Sequence, residues 1–337
     1  TRLRAGNFAE SAFGNDPQTL GTDIVGLNTL EVAFGESGDE DEVTVDRLYY
    51  QFPIGDDFTG TFGAKVRQDD MLAVWPSAYP ADTVLDFFTY AGAPGAYSLT
   101  LGGGGGIWWE NDGGFSVSAS YVSSNADDGN PNTGGVATDG AGSNATAQIA
   151  YSADQWGLAA AYSYTSGDNG AGLYNGNATP SALDFASQGT SNSIGVSAWW
   201  LPEESGFIPS VSTGWGINTV SPNDDNDDTL NSATSQSWYV GLQWEDAFID
   251  GNVFGMAVGQ PTFLTALDLD SDSDVELYDG NYAWEWWYKI QVTDNISVTP
   301  ALYYLSRPNG HLTNGITGTG DETFSNFGGL VKTTFKF

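Results

Sequence analysis

The chain has no cysteine and a single histidine, and only nine of its 337 residues are basic. Without cysteine there is no disulfide framework, no thiolate metal site and no thiol nucleophile. One ring, His311, cannot build a usual zinc site, and a Ser-His-Asp triad would have to be assembled around it alone. Nine bases against 43 acids give a formal charge of -34. Nothing here could neutralise many phosphates, which excludes duplex nucleic acid as a partner. Also missing is any apolar run of about 18 residues, so a membrane-spanning helix is excluded. The longer uncharged stretches are loaded with Gly, Ser, Asn and Thr.

What is present is an unusual pairing. The chain carries 12 Trp, 16 Tyr, 18 Phe and 44 Gly, yet only 40% of it is hydrophobic and its mean hydropathy is -0.25. Disordered acidic chains are poor in aromatics, so the chain is expected to fold. A barrel with a watery lumen needs apolar residues at only every other strand position, and that demand matches the composition.

Alternating segments recur near residues 2–8, 27–34, 43–52, 57–67, 98–108, 114–122, 144–151, 155–165, 192–200, 208–217, 235–244, 251–258, 282–292, 295–305 and 325–336. From the third onward the connections alternate between short ("PIGD", "ENDG", "SAD", "TDN") and long (68–97, 123–143, 166–191, 218–234, 259–281, 306–324). Short turns at one end and long loops at the other predict an all-β fold, a transmembrane antiparallel β-barrel. Closure calls for an even number of strands, so fifteen segments imply about 16, with 18 possible, and at least one strand either upstream of Thr1 or not marked by a clear alternation. By this parity residues 9–26 should be a short turn, and they are not short.

Aromatics cluster beside the short turns, where an interfacial girdle is expected; Trp108, Trp109, Trp156, Trp199, Trp200 and Trp244 are its tryptophans. Acids concentrate in connections such as "GESGDEDE" (35–42), "SPNDDNDD" (221–228) and "LDLDSDSD" (267–274). Bases alternate with apolar residues: Arg2 and Arg4 with Leu3 and Ala5, Arg47 with Leu48, Lys65 and Arg67 with Ala64 and Val66, Lys289 with Tyr288 and Ile290. The last strand, "NFGGLVKTTFKF", sets Lys332 and Lys336 against Phe327, Val331, Phe335 and Phe337. A base facing lipid at the midplane would cost about 2–4 kcal/mol, so these bases are expected to line the lumen.

Residues 68–97 are too apolar for an open solvated loop. They are expected to fold inward, with a short helix over "ADTVLDFFTYAG" capped by Asp82. The expected constriction sets Asp69, Asp70, Asp82 or Asp86 against Arg2, Arg4, Arg47, Lys65 and Arg67, a transverse field that would govern selectivity. The run "GGGGG" (102–106) lacks the Lys-Ser/Thr of a phosphate cradle and reads as close backbone approach in a strand. No metal centre or cofactor is expected. Loosely bound Ca²⁺ at "DLDSDSDVE" (268–276) is the one alternative to a solvated acidic loop.

"RLRAGNF" (2–8), "VDRLYYQFPIGDDFT" (45–59), "GGGGGIWWENDGGFSVSASYV" (102–122) and the final "FKF" resemble the barrel of the cyanobacterial major outer-membrane porins, a branch of the OprB-type family. The resemblance implies a passive channel in the bacterial outer membrane for inorganic ions and small hydrophilic solutes. A carbohydrate-selective channel is the nearest alternative, and a soluble acidic β binding protein a further one. It also implies a homotrimer in outer-membrane lipid with both barrel termini periplasmic. Phe337 would be the signal read by the barrel-assembly machinery. In that family a peptidoglycan-binding SLH domain precedes the barrel, so residues 1–337 read as the porin domain alone, with peptidoglycan contact left to the absent part. Hydrolysis centred on His311 is the enzymatic alternative, which a single histidine disfavours.

Overall fold

The computed structural model describes residues 1–6, 27, 29–31, 42–80, 84–204, 206–223, 230–269, 277–313 and 324–337. Among them fourteen strands form one antiparallel sheet in strict chain order. The strands are β1 (Arg2–Arg4), β2 (Thr44–Ile54), β3 (Phe58–Arg67), β4 (Leu101–Glu110), β5 (Phe115–Ser123), β6 (Ser143–Ser152) and β7 (Trp156–Ser166). They continue with β8 (Gly189–Trp200), β9 (Ser210–Pro222), β10 (Leu230–Glu245), β11 (Val253–Leu269), β12 (Tyr282–Thr293), β13 (Ile296–Ser306) and β14 (Ser325–Phe335). A single α-helix among the described residues, α1 (Pro180–Ala186), lies in the connection from β7 to β8.

The sheet is inside-out relative to a water-soluble protein. In β5 to β8 most of the large apolar side chains are exposed, Phe115, Val117, Ile149, Leu158 and Ile194 among them. Their alternating neighbours Ser116, Ser118, Asn144, Thr146, Gln148, Ser163 and Ser193 are buried. An outer apolar face and an inner polar face follow from the period of two, and such a wall suits lipid outside and polar contents within.

One segment ties several strands together from the inner face. Ala78 N–H donates to Ser212 Oγ on β9 at 2.9 Å, while the hydroxyl of the very next residue, Tyr79, donates to Glu285 on β12 at 2.8 Å. Three strand steps, about 14 Å along a sheet, are thus bridged by two successive residues of one segment packed against the inner face.

Fourteen of the fifteen expected segments are wall strands. The exception is 27–34, of which Leu27 and residues 29–31 are described. Leu30 forms an isolated bridge with Leu85, and Leu27 is buried in a cluster with Val84, Leu85 and Phe88. An apolar alternation of this length satisfies an inner loop as well as a wall. β1 and β2 are direct antiparallel neighbours in the wall. The described strands thus number fourteen, against the 16 or so expected.

Candidate functional site

The inner segment leaves β3 at Gln68 and returns to β4 at Leu101. The wall's buried polar side chains hold it: Ser118 Oγ accepts from Ala73 N–H, Gln148 donates to Val74 O, and Ser237 donates to Gly92 O, at 3.0, 2.8 and 2.8 Å. Tyr97 OH donates to Gln148 Oε1 at 2.7 Å. The serine and glutamine positions of β5, β6 and β10 are thus a docking surface, which gives the composition of the inner face a cause. Where the turn at Ala91–Gly95 presses on β8 and β9 the wall carries Gly195, Gly214 and Gly216; a Cβ on Gly214 would lie 1.8 Å from Ala91 O.

The expected short helix is not formed. Asp86–Thr89 make a 3-10 turn preceded by Leu85, and Asp82 lies outside the described residues. Phe87 and Phe88 are both buried, leaving no solvent face for an amphipathic helix, and positive φ at Ala91 (50°) and Gly92 (73°) turns the chain away. Helix α1 instead carries the helical start signal, with Pro180 in its first turn and Thr179 Oγ1 accepting from Ala182 N–H at 3.3 Å.

The arginines and aspartates meet as ion pairs on one side rather than facing each other across open space. Arg2, Arg4 and Arg47 all converge on Asp46, with Arg47 Nη1 3.0 Å from Asp46 Oδ1. Arg47 Nε donates to Asp70 Oδ2 at 2.8 Å. Arg67 forms a two-pronged pair with Asp69, both contacts at 2.5 Å. Asp86 stands apart, accepting from Asn177 Nδ2 at 2.7 Å.

Asp46, the hub of this network, is absent from the sequence reading. Strand alternation would send Asp46 and Arg47 to opposite faces, yet both are buried. A bulge explains it: Arg2 pairs with Arg47 but Leu3 with Val45, so Asp46 is the extra residue and turns inward with its neighbour. A second bulge overturns the expectation for β3, where Leu48 pairs with Lys65 but Tyr49 with Gly63. Val66, expected on the outer apolar face, is fully buried with Met71 and Val122. Lys65 stays out of the ion-pair network and donates to Val45 O at 2.7 Å in an exposed position.

The other bases gather elsewhere. Lys289, Lys332 and Lys336 line one cavity of about 190 Å³ together with Glu245, Trp287 and Pro80. Lys336 lies beside the turn between β12 and β13, its N–H bonded to Asn295 O at 2.9 Å, so the cavity is at the short-turn end. Phe327, Val331 and Phe335 point outward from the same strand.

Of the expected girdle, Trp156 and Trp200 are cross-strand partners on the exposed face, and Phe115, Tyr151 and Trp156 pack with tilted rings, centroids 4.7 and 5.0 Å apart. Trp199 is corrected to the inside, where it covers Ala150 and Ala159. Two tryptophans in succession on a strand must face opposite ways. Trp108 and Trp109 divide likewise: Trp108 pairs with buried Ser118, and Trp109 with exposed Phe58. Trp244 packs on Phe254 at 5.4 Å and donates to Phe207 O.

His311 Nδ1 is 2.9 Å from Ser181 Oγ and 3.5 Å from Asp279 Oδ1. Serine and carboxylate both address the same ring nitrogen, whereas a triad needs them on opposite nitrogens. This cluster ties α1 to the β13–β14 connection. The acidic stretch 268–276 lies outside the described residues from 270 onward, and no cluster of metal-ligating side chains occurs among those described.

A model of the carbohydrate-selective porin family, OprB, matches residues 2–337. An uncharacterized protein of Nostoc sp. is 28% identical over 96% of this chain and 57% of its own length. Another, of Synechocystis sp., is 25% identical over all of this chain and 60% of its own. The chain therefore spans under two thirds of either relative. Among solved structures, the high-pH structure of Pseudomonas putida OprB aligns over 87% of this chain and 73% of that one, with a TM-score of 0.53 and 14% identity, a likeness of fold.

Proposed function

This chain belongs to the OprB family of carbohydrate-selective porins, and from that premise we propose that it forms a narrow water-filled channel across the bacterial outer membrane for inorganic ions and small hydrophilic solutes. The observation that carries the reading is the inner segment 68–100, hydrogen-bonded to β5, β6, β9, β10 and β12 from within. A wall lined by its own loop leaves a passage set by side chains, and no bond-making chemistry or cofactor is needed for diffusion through it. We therefore read the chain as a non-enzymatic porin domain.

The same reading places it in lipid as a homotrimer, its outer apolar face shared between membrane and neighbouring protomers. The short turns and both barrel ends lie on the periplasmic side, where the fully exposed Phe337 is open to the assembly machinery. Peptidoglycan contact belongs to protein outside this chain. Carbohydrate selectivity is the second reading, favoured by Trp287, an aromatic that lines a cavity on the inner face. Single-channel recording in a planar bilayer tests the first reading: stepwise conductance in threes is expected, and a folded protein that does not conduct overturns it. A sugar that reduces the ion current at constant ionic strength would establish the second.

A further inference from the structure

The chain has four lysines, and three of them share one cavity. In a protein of formal charge -34 that concentration is against the grain of the composition. Arg2, Arg4, Arg47 and Arg67 lie away from this cavity, paired with Asp46, Asp69 or Asp70. Among the described residues that line the lysine cavity, Glu245 is the one carboxylate against three ammonium groups.

Register explains how the group assembles. Lys289 lies on β12 and Lys332 and Lys336 on β14 or just past its end, with β13 between them. Thr299 is the direct cross-strand partner of Lys332, and Ser297 that of Thr334; all three hydroxyls face the same cavity. Two strand spacings separate β12 from β14 by about 10 Å, close enough for long lysine stems to converge. Pro80, next to the Tyr79 that is tied to Glu285, closes the inner side. The lining is therefore rich in donors: ammonium groups, hydroxyls and the amide of Gln243, which is turned toward Glu245.

We propose that this cavity is a binding station for a small oxyanion of the phosphate class, at the short-turn end of the channel. Resting on the porin reading, the proposal adds the solute and the place. A multivalent oxyanion presents several acceptor oxygens to converging ammonium and hydroxyl donors, and lysine meets phosphate as a point charge without needing a fixed fork. A neutral sugar carries no charge to answer three ammonium groups set against one carboxylate, whereas an oxyanion does. About 30 Å³ per water leaves a 190 Å³ cavity room for such an ion with part of its hydration shell.

The test uses the detergent-folded protein in a planar bilayer, with KCl conductance recorded first. Inorganic phosphate is then added to one side at constant ionic strength. Saturable block of the chloride current is expected, stronger from the short-turn side. The pair Lys289→Gln and Lys336→Gln should raise the half-blocking concentration about tenfold, and Lys→Arg at both should restore it. Glu245→Gln should move it the other way, so a fold failure of the glutamine pair does not close the question. A conducting channel indifferent to phosphate, or a block indifferent to these substitutions, overturns the station and leaves the channel reading standing. If the folded protein does not conduct, the channel reading fails, and calorimetric titration of phosphate into wild type and variants decides the station by itself: no heat of binding overturns it.

Discussion

Tyr79 OH donates to Glu285 Oε1 at 2.8 Å across 206 residues of sequence, and Leu85 N–H donates to Oε2 of the same carboxylate at 2.8 Å. Trp287 Nε1 closes the group on Tyr79 OH, again at 2.8 Å. Glu285 is fully buried, so one wall carboxylate fastens two points of the inner segment without solvent competition. Low local dielectric strengthens each of these bonds and makes an unmade one expensive.

Glu285→Ala strands a buried hydroxyl and a buried amide. Each unsatisfied donor costs about 1–3 kcal/mol, enough to lift the tip of the segment from β12. Single-channel conductance should rise and fluctuate, with a lowered midpoint of thermal unfolding. Wild-type conductance in this variant would mean that the tip does not bound the pathway.

Asp46 answers three guanidinium groups, and Asp46→Asn leaves them facing one another. The expected result is a reversal potential in a KCl gradient shifted toward anions, with Asp70→Asn giving a smaller shift because Arg47 keeps Asp46. Loss of the carboxylate should also cost about 1–3 kcal/mol of stability, chiefly through Arg47, the most buried of the three. A reversal potential that stays put in both variants would remove this network from the conduction path.

Strand positions were legible because a two-sided wall writes its period into every segment, and the short and long connections gave the ends. The inward segment was legible too, from its apolar content. Bulges were not: nothing in "TVDRLYY" says that Asp46 and Arg47 share a face, since the extra residue is decided by pairing with β1. Nor was the fate of 27–34, whose alternation serves an inner contact to Leu85 as well as a lipid face. The basic residues were recognised as a set, but their division into an ion-paired arginine group and a separate lysine cavity depends on the β1–β2 bulge and on register across β12 to β14.

Gly214 is empty on its inner side because Ala91 O fills the space. Gly214→Ala would put a Cβ 1.8 Å from that oxygen, and Ala91 cannot easily move with φ already at 50°. Overpacking of this kind costs about 1–3 kcal/mol. Gly206→Ala, with nothing within 4 Å, should stay within about 0.5 kcal/mol of wild type. Comparing the two melts separates close approach from the general loss of backbone freedom.

Glu31 docks beside Asp86, its N–H on Val84 O at 2.9 Å while Asp86 N–H reaches Thr29 O at 3.0 Å. Burial first, then the hydrogen bond and charge of Asp86, push the Glu31 carboxyl from 4.5 up to about 10, with Arg67 and Arg4 pulling the other way. Tyr90, buried nearby, is also raised, by burial and then by Asp86. Between pH 4.5 and about 10 the docked segment holds a proton that the undocked one releases, so docking is strongest below pH 4.5 and weakens as pH rises toward 10. The slope cannot exceed about 1.4 kcal/mol per pH unit for one proton. Hydrogen-exchange protection of the Glu31 and Asp86 amides, corrected for intrinsic rate, should fall across that window in wild type and lie flat in Glu31→Gln. Equal slopes in the two proteins would show that the shared proton does not hold this segment in place.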